Sequence, residues 1–234
     1  MIDKPVMIIT GTRKGIGKFL VEYYAKNGYQ VIGCSRSDID YEIDNYQHYR
    51  IDVSLESSVK LMLTEIRKNY GRLDVLINNA GVNYTLSSVL LVSYESALKT
   101  VKINLLGTFL MSREAVKIMM KKSFGRIINF GSMAVKHEIK GEAIYTASKA
   151  AIVSFTSVLA KEVYNYGITC NVISPSAIDT DLIKSLNIKS LDEVLNRNAI
   201  TDLGKLIDVT NTIDWLIKSE SNAITGQNIY LGGV

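Results

Sequence analysis

The chain opens with an apolar run that breaks at glycine. Val6-Met7-Ile8-Ile9-Thr10 suits a buried strand, and Gly11-Thr12-Arg13-Lys14-Gly15-Ile16-Gly17 follows it directly. Phe19, Leu20, Tyr23 and Tyr24 then recur at helical spacing. Glycines at such a junction let the backbone turn tightly and come close to a ligand. The helix start behind them presents unpaired N–H groups and a positive dipole end, which suit a pyrophosphate. At a first strand–helix junction of an α/β pattern, this segment predicts a dinucleotide site.

The same alternation continues along the chain. Strand-like segments fall near 6–10, 30–35, 47–51, 74–78, 126–132, 168–174 and 227–231, and helical patterns near 15–27, 55–70, 94–121, 144–166 and 206–219. The pattern predicts an α/β single-domain doubly wound Rossmann fold, with a parallel seven-stranded sheet and helices on both faces. Ligands then bind outside the carboxyl ends of the strands. A length of 234 residues suits one such domain over 1–234. Two connections are long, 133–143 and 175–205. The second carries Leu182, Ile183, Leu186, Ile188 and Leu191, and is expected to form short helices that cover the substrate.

Tyr145 and Lys149 stand one helical turn apart, and Ser132 ends an apolar run upstream. A phenol has a reference pKa of about 10, and bringing it to about 7 takes about 4 kcal/mol. One cation about 4 Å away, at an effective dielectric near 20, supplies that order of magnitude. The spacing describes a proton-transfer device.

Taken in order, Thr10-Gly11-x-x-x-Gly15-Ile16-Gly17, Asn78-Asn79-Ala80-Gly81, Asn104, Ser132, Tyr145-x-x-x-Lys149 and Asn171-x-x-x-Pro175 resemble the short-chain dehydrogenase/reductase family over almost the whole chain. Gly125-Arg126-Ile127-Ile128-Asn129-Phe130-Gly131-Ser132 and Ile224-Thr225-Gly226-Gln227-Asn228-Ile229 are most similar to 3-oxoacyl-acyl-carrier-protein reductases and similar carbonyl reductases. The resemblance implies interconversion of a ketone and a secondary alcohol with a nicotinamide dinucleotide. Tyr145 is then the general acid in reduction and the base in oxidation. Ser132 orients the carbonyl, Lys149 lowers the Tyr145 pKa and binds the nicotinamide ribose, and Asn104 holds a water in the proton relay. Cofactor contacts fall to Gly11, Arg13, Lys14, Gly15, Ile16 and Gly17 in the first loop, and to Asp52 and Val53 after the third strand. Asn79, Ala80 and Gly81 follow the fourth strand; Pro175, Ile178 and Thr180 lie beside the nicotinamide. Pro175-Ser176 stands where the family usually has Pro-Gly, for which a modest local change is expected.

The second strand ends at Ser35, where an acid would accept the adenosine ribose hydroxyls, and Arg36 follows. Arg36 and Lys14 can bracket a 2′-phosphate, which favours NADP(H) over NAD(H). Asp38 and Asp40 are near enough for a shifted register to return a carboxylate to the ribose. Ser54 is the natural cap for the helix that follows Asp52.

A net charge of +4 with scattered Lys and Arg argues against nucleic-acid and membrane-surface partners, and Lys121-Lys122 reads as a solvated helix end. Cys34 and Cys170 lie in apolar runs and are expected as buried thiols, and the two histidines and two cysteines show no metal-ligand spacing. His137, in the loop between Ser132 and Tyr145, reads as a solvated loop residue ahead of one that faces the substrate. The start at Asp3 and Lys4 does not read as a signal peptide, and no apolar stretch approaches the roughly 20 residues of a membrane span, so a cytoplasmic protein is expected. The resemblance implies a homotetramer or homodimer through helices 94–121 and 144–166; Met111, Met119, Phe155 and Val158 fit an apolar surface there and fit core packing equally. Carrier-protein reductases dock an acidic carrier on arginines near the entrance. Lys121-Lys122-Ser123-Phe124-Gly125 and Tyr164-Asn165-Tyr166-Gly167 lack them, and Asn83-Tyr84-Thr85-Leu86 departs from the usual sequence. A carrier-linked thioester, a free keto-sugar or other small ketone, and a non-catalytic NADP(H) sensor are therefore the readings to be separated.

Overall fold

A computed structural model describes residues 4–178 and 195–233. Seven parallel strands form one sheet in the order β3-β2-β1-β4-β5-β6-β7. They are β1 Val6–Thr10, β2 Gln30–Ser35, β3 Tyr46–Arg50, β4 Val75–Asn78, β5 Gly125–Phe130, β6 Ile168–Pro175 and β7 Asn228–Leu231. Among the described residues the α-helices are α1 Gly15–Lys26, α2 Glu56–Tyr70, α3 Tyr94–Val101, α4 Gly107–Met119, α5 Ala134–His137, α6 Ala143–Val163 and α7 Leu206–Ile217. The doubly wound α/β architecture expected from the alternation is the one observed.

Central strands need apolar side chains on both faces, and β1 shows how they divide. Val6 and Ile8 join a core layer with Val59, Met62, Ile66, Met111, Ala115 and Leu159 of α2, α4 and α6. Met7 and Ile9 point the other way, onto Leu20, Val21 and Tyr24 of α1 and Val209, Ile213 and Leu216 of α7. The sequence order reverses between β1 and β4, which lie side by side. That switch point opens a crevice at the strands' carboxyl ends, where Thr10, Asn78 and Phe130 all stop.

The helix expected over 94–121 is divided. Between α3 and α4, Lys102–Leu106 forms one π-helical turn, in which the Gly107 amide reaches back five residues to the Lys102 carbonyl. Gly107 is needed there, because a Cβ would lie 2.8 Å from Val53 Cγ2. Met111 and Met119 are fully buried in the core and are not surface. The apolar side chains facing out near them are Leu98, Leu106, Phe109 and Val158. Helix α6 and the turn that continues it, Ala143–Tyr166, hold a stretch of mean hydropathy 1.3 and are long and apolar enough to cross a membrane by length and composition alone. In the fold, α6 packs along β6 and carries buried Ser148 and Lys149.

Candidate active site

The glycine loop packs onto the end of β4. A Cβ on Gly17 would lie 2.2 Å from the Gly11 carbonyl oxygen, and one on Gly11 would lie 2.9 Å from Ala80 Cα. Gly11 also holds φ +76°, a region that favours glycine. Asn79 Nδ2 donates to the Thr10 carbonyl at 2.8 Å, and the Ala80 amide donates to Thr10 Oγ1 at 2.9 Å. The strand ends that flank the crevice are thereby tied together. Gly15, Ile16 and Gly17 form the first turn of α1, where amides have no intrahelical acceptor. The result is a glycine-lined turn with free helix-start amides, and it fits a pyrophosphate.

Beside the cradle, β2 ends at Ser35, as expected. Ser35 Oγ donates to the Ser37 carbonyl and lies 3.2 Å from His48 Nε2. Arg36 is exposed and donates to Tyr84 Oη at 3.1 Å. Asp38 pairs at 3.2 Å with Arg50, the neighbour of Ser35 across the β2–β3 pair, so its carboxylate is engaged by a cation. Arg13, Lys14, Gly15 and Lys18 face Asp38, Ile39 and Asp40 across an open cleft of about 430 Å³. Asp52 Oδ1 accepts from both the amide (2.9 Å) and the hydroxyl (2.7 Å) of Ser54. Ser54 is thus spent on a turn. The residue before α2 is Leu55, which makes no side-chain cap.

A polar cluster that the sequence reading missed supports this side. His48 Nδ1 lies 2.8 Å from Tyr46 Oη, which donates to buried Thr12 Oγ1 at 2.8 Å. Tyr41 closes the group by donating to the Thr12 carbonyl. Burial lowers the His48 pKa from its ordinary value. The available signal was the period of two that puts Tyr46 and His48 on one face of β3 beside Gly33. There a Cβ would lie 2.2 Å from Tyr46 Oη.

At the other end of the crevice, Ser132 lies just past β5, and Tyr145 and Lys149 lie in the first turns of α6. Ser132 lies close enough to Tyr145 for its hydroxyl to influence the phenol, and Ser132 Oγ accepts from the Ala134 amide at 3.1 Å. Lys149 is 4% exposed, and its Nζ donates to the Phe130 carbonyl at 2.7 Å. One acceptor for three protons leaves two donor positions open, which matches a vicinal diol such as a ribose. Gly81 leaves the approach clear: a Cβ there would lie 3.3 Å from Lys149 Nζ and 3.5 Å from Asn104 Oδ1.

The electrostatics differ from the expected simple pairing. Burial raises the Tyr145 pKa, the Ser132 hydroxyl opposes that rise, and the charge of Glu142 adds to it. Lys149 Nζ lies 5.9 Å from the centre of the Tyr145 ring and does not offset the burial. Its own pKa is pushed down to about 8 by loss of water. The phenol is therefore held protonated at neutral pH, as suits a donor.

Asn104 sits in the π-helical turn, fully buried. Its Nδ2 donates to the Val82 carbonyl (2.9 Å) and to Ser148 Oγ (3.0 Å), and its Oδ1 accepts from the Val82 amide at 2.8 Å. An unfavourable mid-helix residue is thus explained by a clamp on the segment that follows Gly81. Pro175 ends β6, and Ile178 is buried against Gly204. Thr180 and most of the segment expected to cover the substrate, residues 179–194, lie outside the described residues. Ser176 accepts a hydrogen bond from Asn198 Nδ2 at 2.7 Å and has no positive φ, so the turn does not need glycine. His137 is not a solvated loop residue. Its Nε2 lies 2.8 Å from Asn198 Oδ1, and this links α5 to the same turn.

A family profile for short chain dehydrogenase matches residues 5–190. The chain belongs to the short-chain dehydrogenase family. Its members are oxidoreductases acting on alcohol and carbonyl groups, and so is this chain. It is 32% identical to the 3-oxoacyl-[acyl-carrier-protein] reductase FabG of Vibrio cholerae, over 99% of this chain and 97% of that one. The FabG of Escherichia coli is 32% identical over 97% and 96%. Among solved structures, ElxO with NADP bound superposes with a TM-score of 0.89 at 30% identity, covering 97% of this chain and 96% of that one. An actinorhodin polyketide ketoreductase variant with NADPH gives 0.88 at 25% identity, covering 100% and 97%.

Proposed function

We propose that this short-chain dehydrogenase is an NADP(H)-dependent reductase that interconverts a ketone and a secondary alcohol. The observation that carries the reading is Ser132 and Tyr145 brought together beside a buried lysine with two open donor positions, at the carboxyl edge of the sheet. The dihydronicotinamide supplies the hydride when bound. Ser132 positions the substrate carbonyl and stabilises negative charge as it develops on oxygen. Tyr145, held protonated, delivers a proton to that oxygen and takes it back in the reverse direction. Lys149 holds the ribose side of the cofactor, and Asn104 fixes the Val82 segment against which substrate and cofactor meet. Ser35 at the strand end, Asp38 turned to Arg50, and Arg36 beside the cleft support NADP(H) over NAD(H).

The chemistry is that of a 3-oxoacyl thioester reductase. A second reading, the same reaction on a free keto-sugar or other small ketone, is favoured by the absence of arginines at Lys121–Gly125 and Tyr164–Gly167. Nothing in the site supports a non-catalytic sensor, because Ser132, Tyr145 and Lys149 are all retained together. The chain is taken as one domain with residues 175–205 covering the substrate. It works in the cytoplasm as a homotetramer or homodimer in which Leu106, Phe109 and Val158 are covered. The deciding experiment follows NADPH absorbance with a panel of free ketones and a carrier-linked 3-oxoacyl thioester. Oxidation with one class supports the reading. NADPH binding without turnover of any carbonyl refutes it.

A further inference from the structure

Glu142 is a carboxylate for which the chemistry above has no use. It immediately precedes α6, three positions ahead of Tyr145, and it is only partly exposed. Its Oε1 accepts a hydrogen bond from Asn83 Nδ2 at 3.2 Å. Asn83 follows Val82, whose amide and carbonyl are both held by the Asn104 side chain. The same loop is pinned again where the Ser87 amide donates to the Gly141 carbonyl at 2.9 Å. The carboxylate thus stands on a fixed wall that runs from the Lys149–Asn104 corner to the first turn of α6. Its charge reaches the Tyr145 phenol. Among the described residues no cation pairs with it, and Oε2 has no donor.

A carboxylate drawn partly out of water with one amide partner costs folding free energy. Glutamine would accept the same bond from Asn83 without the charge. At the start of α6 the charge gains the modest attraction of the helix dipole, and the open Oε2 is left for something that enters the site. An ionised carboxylate only accepts hydrogen bonds, so what it recognises is a donor.

We propose that Glu142, backed by Asn83, is a specificity-determining residue that selects ketones carrying a hydroxyl or protonated amine beside the reacting carbonyl. The inference rests on the carbonyl-reductase reading of Ser132, Tyr145 and Lys149. A 3-oxoacyl thioester presents methylenes and a second carbonyl around its ketone, none of them a donor. Such a substrate would leave Oε2 desolvated and unpaired, which disfavours it. A polyol-like or amino ketone satisfies it.

Hydroxyacetone and butanone differ only by a hydroxyl in place of a methyl group, and acetoacetate adds an anion. kcat/KM for the three with NADPH is compared in the wild type and Glu142→Gln. Binding of propane-1,2-diol and butan-2-ol is measured by calorimetry on both proteins. The wild type should prefer hydroxyacetone to butanone by about tenfold or more, with the difference in KM, as a hydrogen bond to a charged group implies. Glu142→Gln should lower that ratio about tenfold and improve acetoacetate relative to butanone. An unchanged ratio overturns the assignment. If neither protein turns over any ketone, the reductase reading fails on its own account. Calorimetry then decides on Glu142: a diol preference lost in the variant supports its role, and equal binding of diol and alcohol refutes it.

Discussion

Replacing Lys149 with methionine should show what the buried ammonium costs the protein when no ligand is present. The side chain is almost fully buried, has no carboxylate partner among the described residues, and makes one hydrogen bond, to the Phe130 carbonyl. The gap between its pKa of about 8 and the ordinary 10.5 corresponds to a penalty of about 3 kcal/mol on the charged form. Below about pH 8 both folded and unfolded chains carry the proton, so the whole penalty is present. From there to about 10.5 the unfolded chain holds more protons, and stability recovers as pH rises. Between pH 7 and 9 the recovery is about 1 kcal/mol. Lys149→Met removes the penalty and orphans the Phe130 carbonyl, which costs about 1–3 kcal/mol. At pH 7 the variant should therefore be no less stable than the wild type, or more stable by up to about 2 kcal/mol, although it is inactive. Urea unfolding of both proteins at pH 7 and pH 9 measures this. Cys34, pushed up to about 12 by burial, loses stability as pH rises above about 9, but it does so equally in both proteins. The variant-minus-wild-type difference is thus the readout, and it should shrink by about 1 kcal/mol at the higher pH. A difference that does not change with pH would refute the reasoning.

Tyr145→Phe should abolish turnover and keep NADPH binding, because it removes the proton and leaves the cradle intact; normal turnover would dismiss the phenol as donor. Since burial holds that phenol protonated, reduction should vary little with pH below neutrality and oxidation of the alcohol should rise with pH, which initial rates in the two directions will show. Arg36→Ala should weaken NADPH about tenfold or more and leave NADH nearly unchanged, as measured by fluorescence titration; equal losses would rule out a 2′-phosphate contact. Gly17→Ala should destabilise the protein by about 1–3 kcal/mol and release the cofactor, because the new methyl meets the Gly11 carbonyl 2.2 Å away. A melting curve identical to the wild type would contradict that packing.

The sequence was most informative where one residue type has one physical use. Strands buried on both faces are rich in apolar side chains, so β1 and the Val31–Cys34 run of β2 are legible from the chain alone. The glycine loop and the Tyr145–Lys149 spacing were legible for the same reason. Features set by tertiary geometry were not. Met111 and Met119 suit a surface or a core equally well until α4 is laid on the sheet. A helical pattern over 94–121 does not disclose a π-helical turn, because the apolar spacing tolerates it. The Thr12–Tyr46–His48 cluster, the Asn83–Glu142 pair and the His137–Asn198–Ser176 chain join residues far apart in the sequence, and only the closed sheet brings them together. The pairwise estimate for Tyr145 failed differently. It counted the lysine's charge and left out the water that both groups lose.

The turn at Lys102–Leu106 has one more residue than a regular ladder would hold. Closing the hydrogen bonds in the ordinary way with all five residues kept would swing everything beyond by about 100°. Leu110, Met111 and Ala115 would leave the sheet, and the amide that grips Val82 would face elsewhere. The irregularity is thus a phase-setting insert, with the inner face of one helix and the corner beside Gly81 adjusted to each other through a single added residue.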